Sequence, residues 1–173
     1  GGFKIAQRDL EIRGAGDILG VQQSGQISSI GFHLYCKLLK QTIQALKHKT
    51  RPVFQEAKLE SDYGAFLPED YINETSLRME IYHRLGEAMT PEEINAIYIE
   101  LKDRFGLPPL PVQWLYHLAR LRLWASLRGY SFLKMTARQL IAENPRRKQT
   151  LPLPPITNPV ELEKQVQQLL QQK

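Results

Sequence analysis

Gly14, Gly16 and Gly20 place three glycines within seven residues, which predicts a tight loop or a close backbone approach to another group. Phosphate cradling is the first chemistry such a loop suggests. The frame here is Gly-x-Gly-x-x-x-Gly, the wrong spacing for a dinucleotide loop, and no Gly-x-x-x-x-Gly-Lys-Ser/Thr run occurs in the 173 residues. Two side chains flank the loop. Arg13 carries a rigid five-donor fork suited to carboxylates, carbonyl oxygens or phosphate. Gln23 offers both a donor and an acceptor. By residue type alone Arg13 also fits a cation at a helix C-terminus, a role worth about 0.3 kcal/mol.

Other reactive types are scattered. His33, His48, His83 and His117 share no ligand spacing with each other or with Cys36, the single cysteine, so a zinc site is not expected. Cys36 lies beside an apolar stripe and reads as a small buried hydrophobe. Ser24-Gly25 lacks the frame of a nucleophile elbow. The carboxylate pair Glu92-Glu93 is explained by its place in a first helical turn. No catalytic residue and no metal ligand is therefore assigned, and the chain reads as no enzyme on its own.

Apolar residues at 42 % and charged residues at 24 % match ordinary globular usage and exclude wholesale disorder. No apolar run reaches membrane-spanning length, and arginines interrupt the longest candidate, residues 115–127. No charged stretch followed by an apolar core opens the chain, and one cysteine forms no internal disulfide; the expectation is an intracellular, reducing compartment. The net charge of +5 hides a segmental pattern. Residues 1–50 carry seven Lys/Arg against three Asp/Glu, 51–104 six against twelve, 105–150 eight against one, and 151–173 two of each. Such alternation suits surfaces of opposite sign that face each other or face partners; solvated helix faces would give it too.

These residues need elements to hold them. Phe3, Ala6 and Leu10 suit one face of a short helix over residues 3–13, although Leu10 and Ile12 also fit a strand. Residues 21–28 are polar and read as a loop. Ile30, Leu34, Leu38, Leu39, Ile43 and Leu46 predict a helix from Ser29 that Arg51-Pro52 ends. A shift in composition places a domain boundary near residue 50. Residues 56–61 alternate as a half-buried strand, and 64–70 form a turn region. Thr75 or Ser76 can cap a helix with the face Leu77, Ile81 and Leu85, weakened at its end by Gly86.

The next signals are stronger. Thr90 can cap, Pro91 suits the first helical position, Glu93 can close a capping box, and Gly106 stops the helix. Its face is Ile94, Ile97, Tyr98, Leu101 and Phe105. Pro111 opens a third helix to about Arg128, stopped by Gly129, with Leu115, Leu118, Ala119, Leu121 and Ala125 apolar. Residues 130–135 and 138–142 read as short strands, Asn144-Pro145 as a turn, and 146–157 as an edge strand or extended segment. Asn158, Pro159 and Glu161 repeat the capping logic for a last helix through Leu162, Val166, Leu169 and Leu170.

Residues 9–25 carry a resemblance. Asp9-Leu10-x-x-Arg13-Gly14-x-Gly16, then Leu19-Gly20-x-x-Gln23-Ser24-Gly25, is similar to the translocation motif that follows the last helicase motif in two families. These are the transcription-repair coupling factors and the branch-migrating DNA helicases that remodel stalled forks. The continuation resembles the coupling factors: Ile30-Gly31-Phe32-x-Leu34-Tyr35, Leu67-Pro68-Glu69-Asp70-Tyr71-Ile72, Arg78-x-x-x-Tyr82-x-Arg84, and Glu100-Leu101-x-Asp103-Arg104-Phe105-Gly106. The resemblance covers residues 1 to about 130 and thins after Lys134.

The resemblance implies a fold of class α+β. A helical translocation-motif segment with its connecting helix from the second motor lobe (1–50) precedes a regulatory domain (51–173) of about four helices and a short mixed or antiparallel sheet. It implies that Arg13 and Gln23, with Gly14, Gly16 and Gly20 shaping the loop, couple ATP-site closure to DNA movement. It implies that the motor lobes, with ATP and Mg, lie upstream, and that this segment holds no cofactor of its own. The implied partners are those lobes, an N-terminal repair-like module, double-stranded DNA, RNA polymerase and the damage-recognition repair subunit. No membrane is involved, and the implied place is the cytoplasm. A rival from another class is a stand-alone nucleic-acid-binding module that uses the basic 105–150 stretch, with Trp114, Tyr116, Trp124, Tyr130 and Phe132 available to stack on bases.

Overall fold

The computed structural model of the chain describes residues 21–23 and 56–171. In chain order the elements are β1 (Val21–Gln23), β2 (Lys58–Ser61), α1 (Thr75–Glu87), α2 (Pro91–Phe105), α3 (Leu110–Leu127), β3 (Phe132–Met135), β4 (Gln139–Glu143), β5 (Lys148–Pro152) and α4 (Pro159–Gln171). The five strands form one mixed sheet in the order β1-β2-β3-β4-β5, parallel from β1 to β3 and antiparallel from β3 to β5. The fold is α+β, four helices and a mixed sheet among the described residues, as expected.

Each strand sorts its side chains between two faces. Leu59 and Ser61, Leu133 and Met135, and Leu140 and Ala142 are buried on one face. Their neighbours Lys58, Glu60, Phe132, Lys134, Ile141 and Glu143 are not, which is the period-two signature of a sheet covered on one side. The covering element is α3. It touches β1 and β2 and packs against both α2 and α4. Ten of its side chains are buried, with Leu118, Ala119 and Leu121 inaccessible. Burying each leucine fully contributes about 2 kcal/mol, so this helix is the centre of the core.

The helix boundaries follow local chemistry. Thr90 Oγ1 accepts from Glu93 N at 3.2 Å, and Pro91 occupies N1. Glu93 Oε2 accepts from Met89 N at 2.8 Å, one residue earlier than a standard capping box. Gly106, at φ 89°, returns its N–H to the Lys102 carbonyl and ends α2. Gly129, at φ 83°, does the same work after α3. Asn158 Oδ1 accepts from Glu161 N at 2.8 Å to start α4. β5 is an exposed edge strand that begins on Lys148 and ends on Pro152, both of which discourage further pairing.

Two expectations need correction. Residues 21–23, read as part of a polar loop, form β1, in register with Leu59, Glu60 and Ser61. Parallel pairing is made by backbone groups, and the open edge of β2 offers them whatever the side chains are. The α1 N-cap is Glu74, with no side-chain cap bond; Thr75 Oγ1 instead accepts from Arg78 Nη2 at 3.1 Å. The expected α1 face holds: Ile81 and Leu85 are buried with Arg78, Tyr82 and Gly86, Leu77 packs partly buried against the core, and the helix ends one residue past Gly86. The expected boundary near residue 50, and the helices over 3–13 and 29–50, lie outside the described residues.

Candidate functional site

The motif residues that continue the resemblance past residue 60 meet in space. Tyr82 Oη accepts from Leu67 N at 2.8 Å and is inaccessible to water. The Arg78 guanidinium donates to the carbonyls of Ile72 and Asn73 at 2.5 and 3.0 Å. Tyr71 Oη shares its hydrogen between the carbonyls of Leu101 and Gly106, at 3.1 and 2.8 Å. Arg84 grips Glu100 with both terminal nitrogens, at 2.7 and 2.9 Å, and Arg104 adds a third contact at 3.0 Å. These bonds hold the 62–74 loop against α1 and α2, because a buried backbone N–H or carbonyl without a partner is costly. The Arg84 hydrogen bond, against some opposition from burial, holds the Glu100 carboxyl down at about 2, with Arg104 contributing.

A second polar cluster fastens α4. Glu163 is buried between α4 and α3, with His117 Nδ1 at 2.5 Å and Arg120 Nε at 2.9 Å. Asn95 Oδ1 accepts from Arg120 Nη1 and from Tyr116 Oη, both at 2.6 Å, which carries the cluster on to α2. Burial raises the Glu163 carboxyl, but the His117 hydrogen bond and the Arg120 charge outweigh it and hold the group below its ordinary value. A third contact joins α3 to the segment before β2. Arg122, 3 % exposed, donates from Nη1 to Glu56 at 2.9 Å, while Ser126 Oγ accepts from Ala57 N at 2.8 Å.

None of these clusters is arranged for bond-breaking chemistry. The open cleft between α1 and α2, about 450 Å³, is lined by His83, Arg84, Glu87, Glu93 and Ile97 among others. Arg84 is occupied by Glu100 there, and Glu93 by Met89 N. Glu92 and Glu93 sit in the first turn of α2, as expected. Among the described residues no group of three or more His, Cys, Asp or Glu could hold a metal ion. None of the described helices is long and apolar enough to cross a membrane.

Arg13, Gly14, Gly16 and Gly20 lie outside the described residues, as do Cys36, His33 and His48. Gln23 is the last residue of β1, opposite Ser61. The aromatic residues of the rival reading are largely engaged. Trp114 stacks on Tyr63 at 4.2 Å and Tyr116 on Tyr98 at 4.1 Å. Part of the charge alternation is spent inside the domain, since Arg122–Glu56 and Lys134–Glu60 join the basic segment to the acidic one. Residue-type reasoning missed Glu163, Asn95 and Glu56, whose partners stand 21 to 66 positions away in sequence.

The described residues thus make up an α+β domain: a one-sided mixed sheet, a central helix and polar latches between elements. The family model for the TRCF domain matches residues 61–152, and the chain belongs to that family. The match continues past Lys134, where the motif resemblance thins, to the end of β5. The chain is 42 % identical over 133 residues to the transcription-repair-coupling factor of Escherichia coli, covering 74 % of this chain and 12 % of that protein. It is 43 % identical over 127 residues to that of Haemophilus influenzae, covering 70 % and 11 %. For the Bacillus subtilis protein the identity is 40 % over 134 residues, covering 77 % and 11 %. The chain therefore spans roughly a ninth of the length of these relatives. A crystal structure of the C-terminal domain of transcription-repair coupling factor superposes at a TM-score of 0.49 with 19 % identity, over 54 % of this chain and 59 % of that one.

Proposed function

We propose that this chain is the C-terminal part of a transcription-repair coupling factor. The whole protein is an ATP-dependent translocase on double-stranded DNA. It displaces stalled RNA polymerase, recruits nucleotide excision repair at DNA damage and works in the cytoplasm. Residues 1–50 couple ATP hydrolysis to translocation through Arg13 and Gln23, and residues 51–173 restrain binding of the damage-recognition repair subunit. ATP and Mg bind on the upstream motor lobes, so this segment alone hydrolyses nothing.

The observation that carries the proposal is identity of 42 % over 133 residues with a coupling factor. The fold supports a regulatory role for residues 51–173 on physical grounds. Its polar clusters are spent on holding its own elements together, and α1 and α2 leave Glu80 and Glu92 exposed. Charged surfaces of this kind dock reversibly, because their contacts exchange readily with water and salt. The test is deletion of residues 51–173 from the full-length protein. Tighter binding of the repair subunit and higher basal motor activity are expected. Unchanged affinity for that subunit would remove the regulatory role.

A further inference from the structure

The described Lys and Arg side chains fall into three sets, the smallest being Lys102, Arg138 and Lys164, which are exposed and scattered without a described carboxylate partner. Arg84, Arg104, Arg120, Arg122 and Lys134 each reach a carboxylate, and Arg78 reaches backbone carbonyls. Lys58, Arg128, Arg146, Arg147 and Lys148 are exposed, and none of them pairs with a described carboxylate. These five stand at one end of the sheet. The register sets Lys58 beside Phe132, Phe132 beside Glu143, and Glu143 beside Lys148, all on the face turned away from α3. Lys58 N donates to the Ser131 carbonyl and Ser131 N to the Glu143 carbonyl, which brings the end of α3, with Arg128, to the same edge. The β4–β5 turn closes there as well.

That turn is held rigidly. Asn144 Oδ1 accepts from Arg146 N and Arg147 N at 2.8 and 2.9 Å, and Asn144 N donates to the Arg147 carbonyl at 3.0 Å. Arg128 lies over the Trp124 ring at 4.7 Å, and Trp124 stacks with Tyr130. Glu143 is the one described acid in the register row, and nearby Glu56 is matched by Arg122. Five of the eight exposed cations without a described carboxylate partner are therefore gathered on one preorganised frame, while Lys102, Arg138 and Lys164 lie elsewhere.

We propose that this end of the sheet is a sequence-independent docking surface for the sugar-phosphate backbone of duplex DNA. The inference stands apart from the regulatory role proposed above. Three inter-strand spacings separate Lys58 from Lys148, about 14 Å, a length of duplex axis over which each strand carries about four phosphates. Protein–protein interfaces keep an apolar centre, whereas this surface has half-buried Phe132, with Leu127 at its margin, among cations. Trp124 is already engaged by Arg128 and Tyr130, which favours contact with a backbone over stacking of unpaired bases.

The test is fluorescence anisotropy of a labelled duplex of about 20 base pairs with the 173-residue chain, from about 50 to 200 mM salt. The triple variant Arg146→Gln/Arg147→Gln/Lys148→Gln should weaken binding at least tenfold at low salt. It should also flatten the plot of log K against log salt by about 2.7, at about 0.9 per lost phosphate contact. The companion Lys102→Gln/Arg138→Gln/Lys164→Gln removes the same charge elsewhere and should leave the slope nearly unchanged. All six positions are exposed, and an unaltered urea midpoint verifies the fold of each variant. Equal behaviour of the two variants would overturn the proposal. So would polyglutamate displacing the duplex at matched charge, which would assign the surface to an acidic protein, or a single strand binding more tightly than the duplex.

Discussion

Glu163→Ala tests what holds α4 to the domain. The substitution removes two charge-assisted hydrogen bonds from a carboxylate only 10 % exposed, His117 Nδ1 at 2.5 Å and Arg120 Nε at 2.9 Å. Each such bond is worth about 1.5–3 kcal/mol. Two effects offset part of that loss. The variant no longer desolvates a carboxylate, and Arg120 is 27 % exposed and keeps Asn95 Oδ1 at 2.6 Å. The net cost is about 2 kcal/mol, which lowers Tm by about 8 °C in a domain of this size. Urea unfolding is the assay, and the midpoint should fall with an unchanged slope. Because Glu163 is held below its ordinary pKa of 4.5, its contribution is present above that value. It is lost as pH falls through the lowered folded value, so wild type and variant converge in acid. A cost under about 0.5 kcal/mol, or one that disappears at high salt, would show the latch to be an ordinary surface ion pair and refute the reasoning.

Gly106→Ala should cost about 2 kcal/mol in thermal or urea unfolding, because φ 89° with ψ −171° is open essentially to glycine alone. An added Cβ would meet nothing within 4 Å there, so the cost is backbone strain without a clash. Glu100, held at about 2, contributes stability above pH 4.5 that is lost as pH falls toward 2. Both side chains of its Arg84 pair are 34 % exposed, so Glu100→Gln should flatten the acid limb of a stability–pH curve by about 1 kcal/mol at most. In the full-length protein, Arg13→Ala should leave ATP hydrolysis largely intact while abolishing triplex displacement, and Arg13→Lys should also be impaired through loss of the planar fork. Normal triplex displacement by Arg13→Ala would leave only the helix-end cation.

The helical layer was legible in the sequence because its signals are local. Thr90-Pro91, Gly106, Gly129 and Asn158-Pro159 mark ends within a turn of the residues they cap, and the apolar spacing of α2, α3 and α4 identifies the buried stripe. The alternation in β2 and β4 was equally readable. The motifs at 67–72, 78–84 and 100–106 marked the family but not their work, which is to bond to one another across the 62–74 loop.

Tertiary structure alone decided the pairings between distant segments. β1 is a strand because β2, 38 positions away in register, presents an open edge; nothing in Val21–Gln23 requires it. Arg122 is buried because Glu56 reaches it from 66 positions away, while Arg128, six residues on, stays exposed over Trp124. The sequence by itself determined the family, the helix ends and the basic character of residues 105–150. Packing settled which of those cations are spent on the protein's own carboxylates, as Arg120 and Arg122 are, and register brought Lys148 to the sheet end where Arg146 and Arg147 also stay free. The physical reason is range: caps and periodicity act within a few residues, whereas ion pairs and strand ladders form only after packing has brought remote segments together.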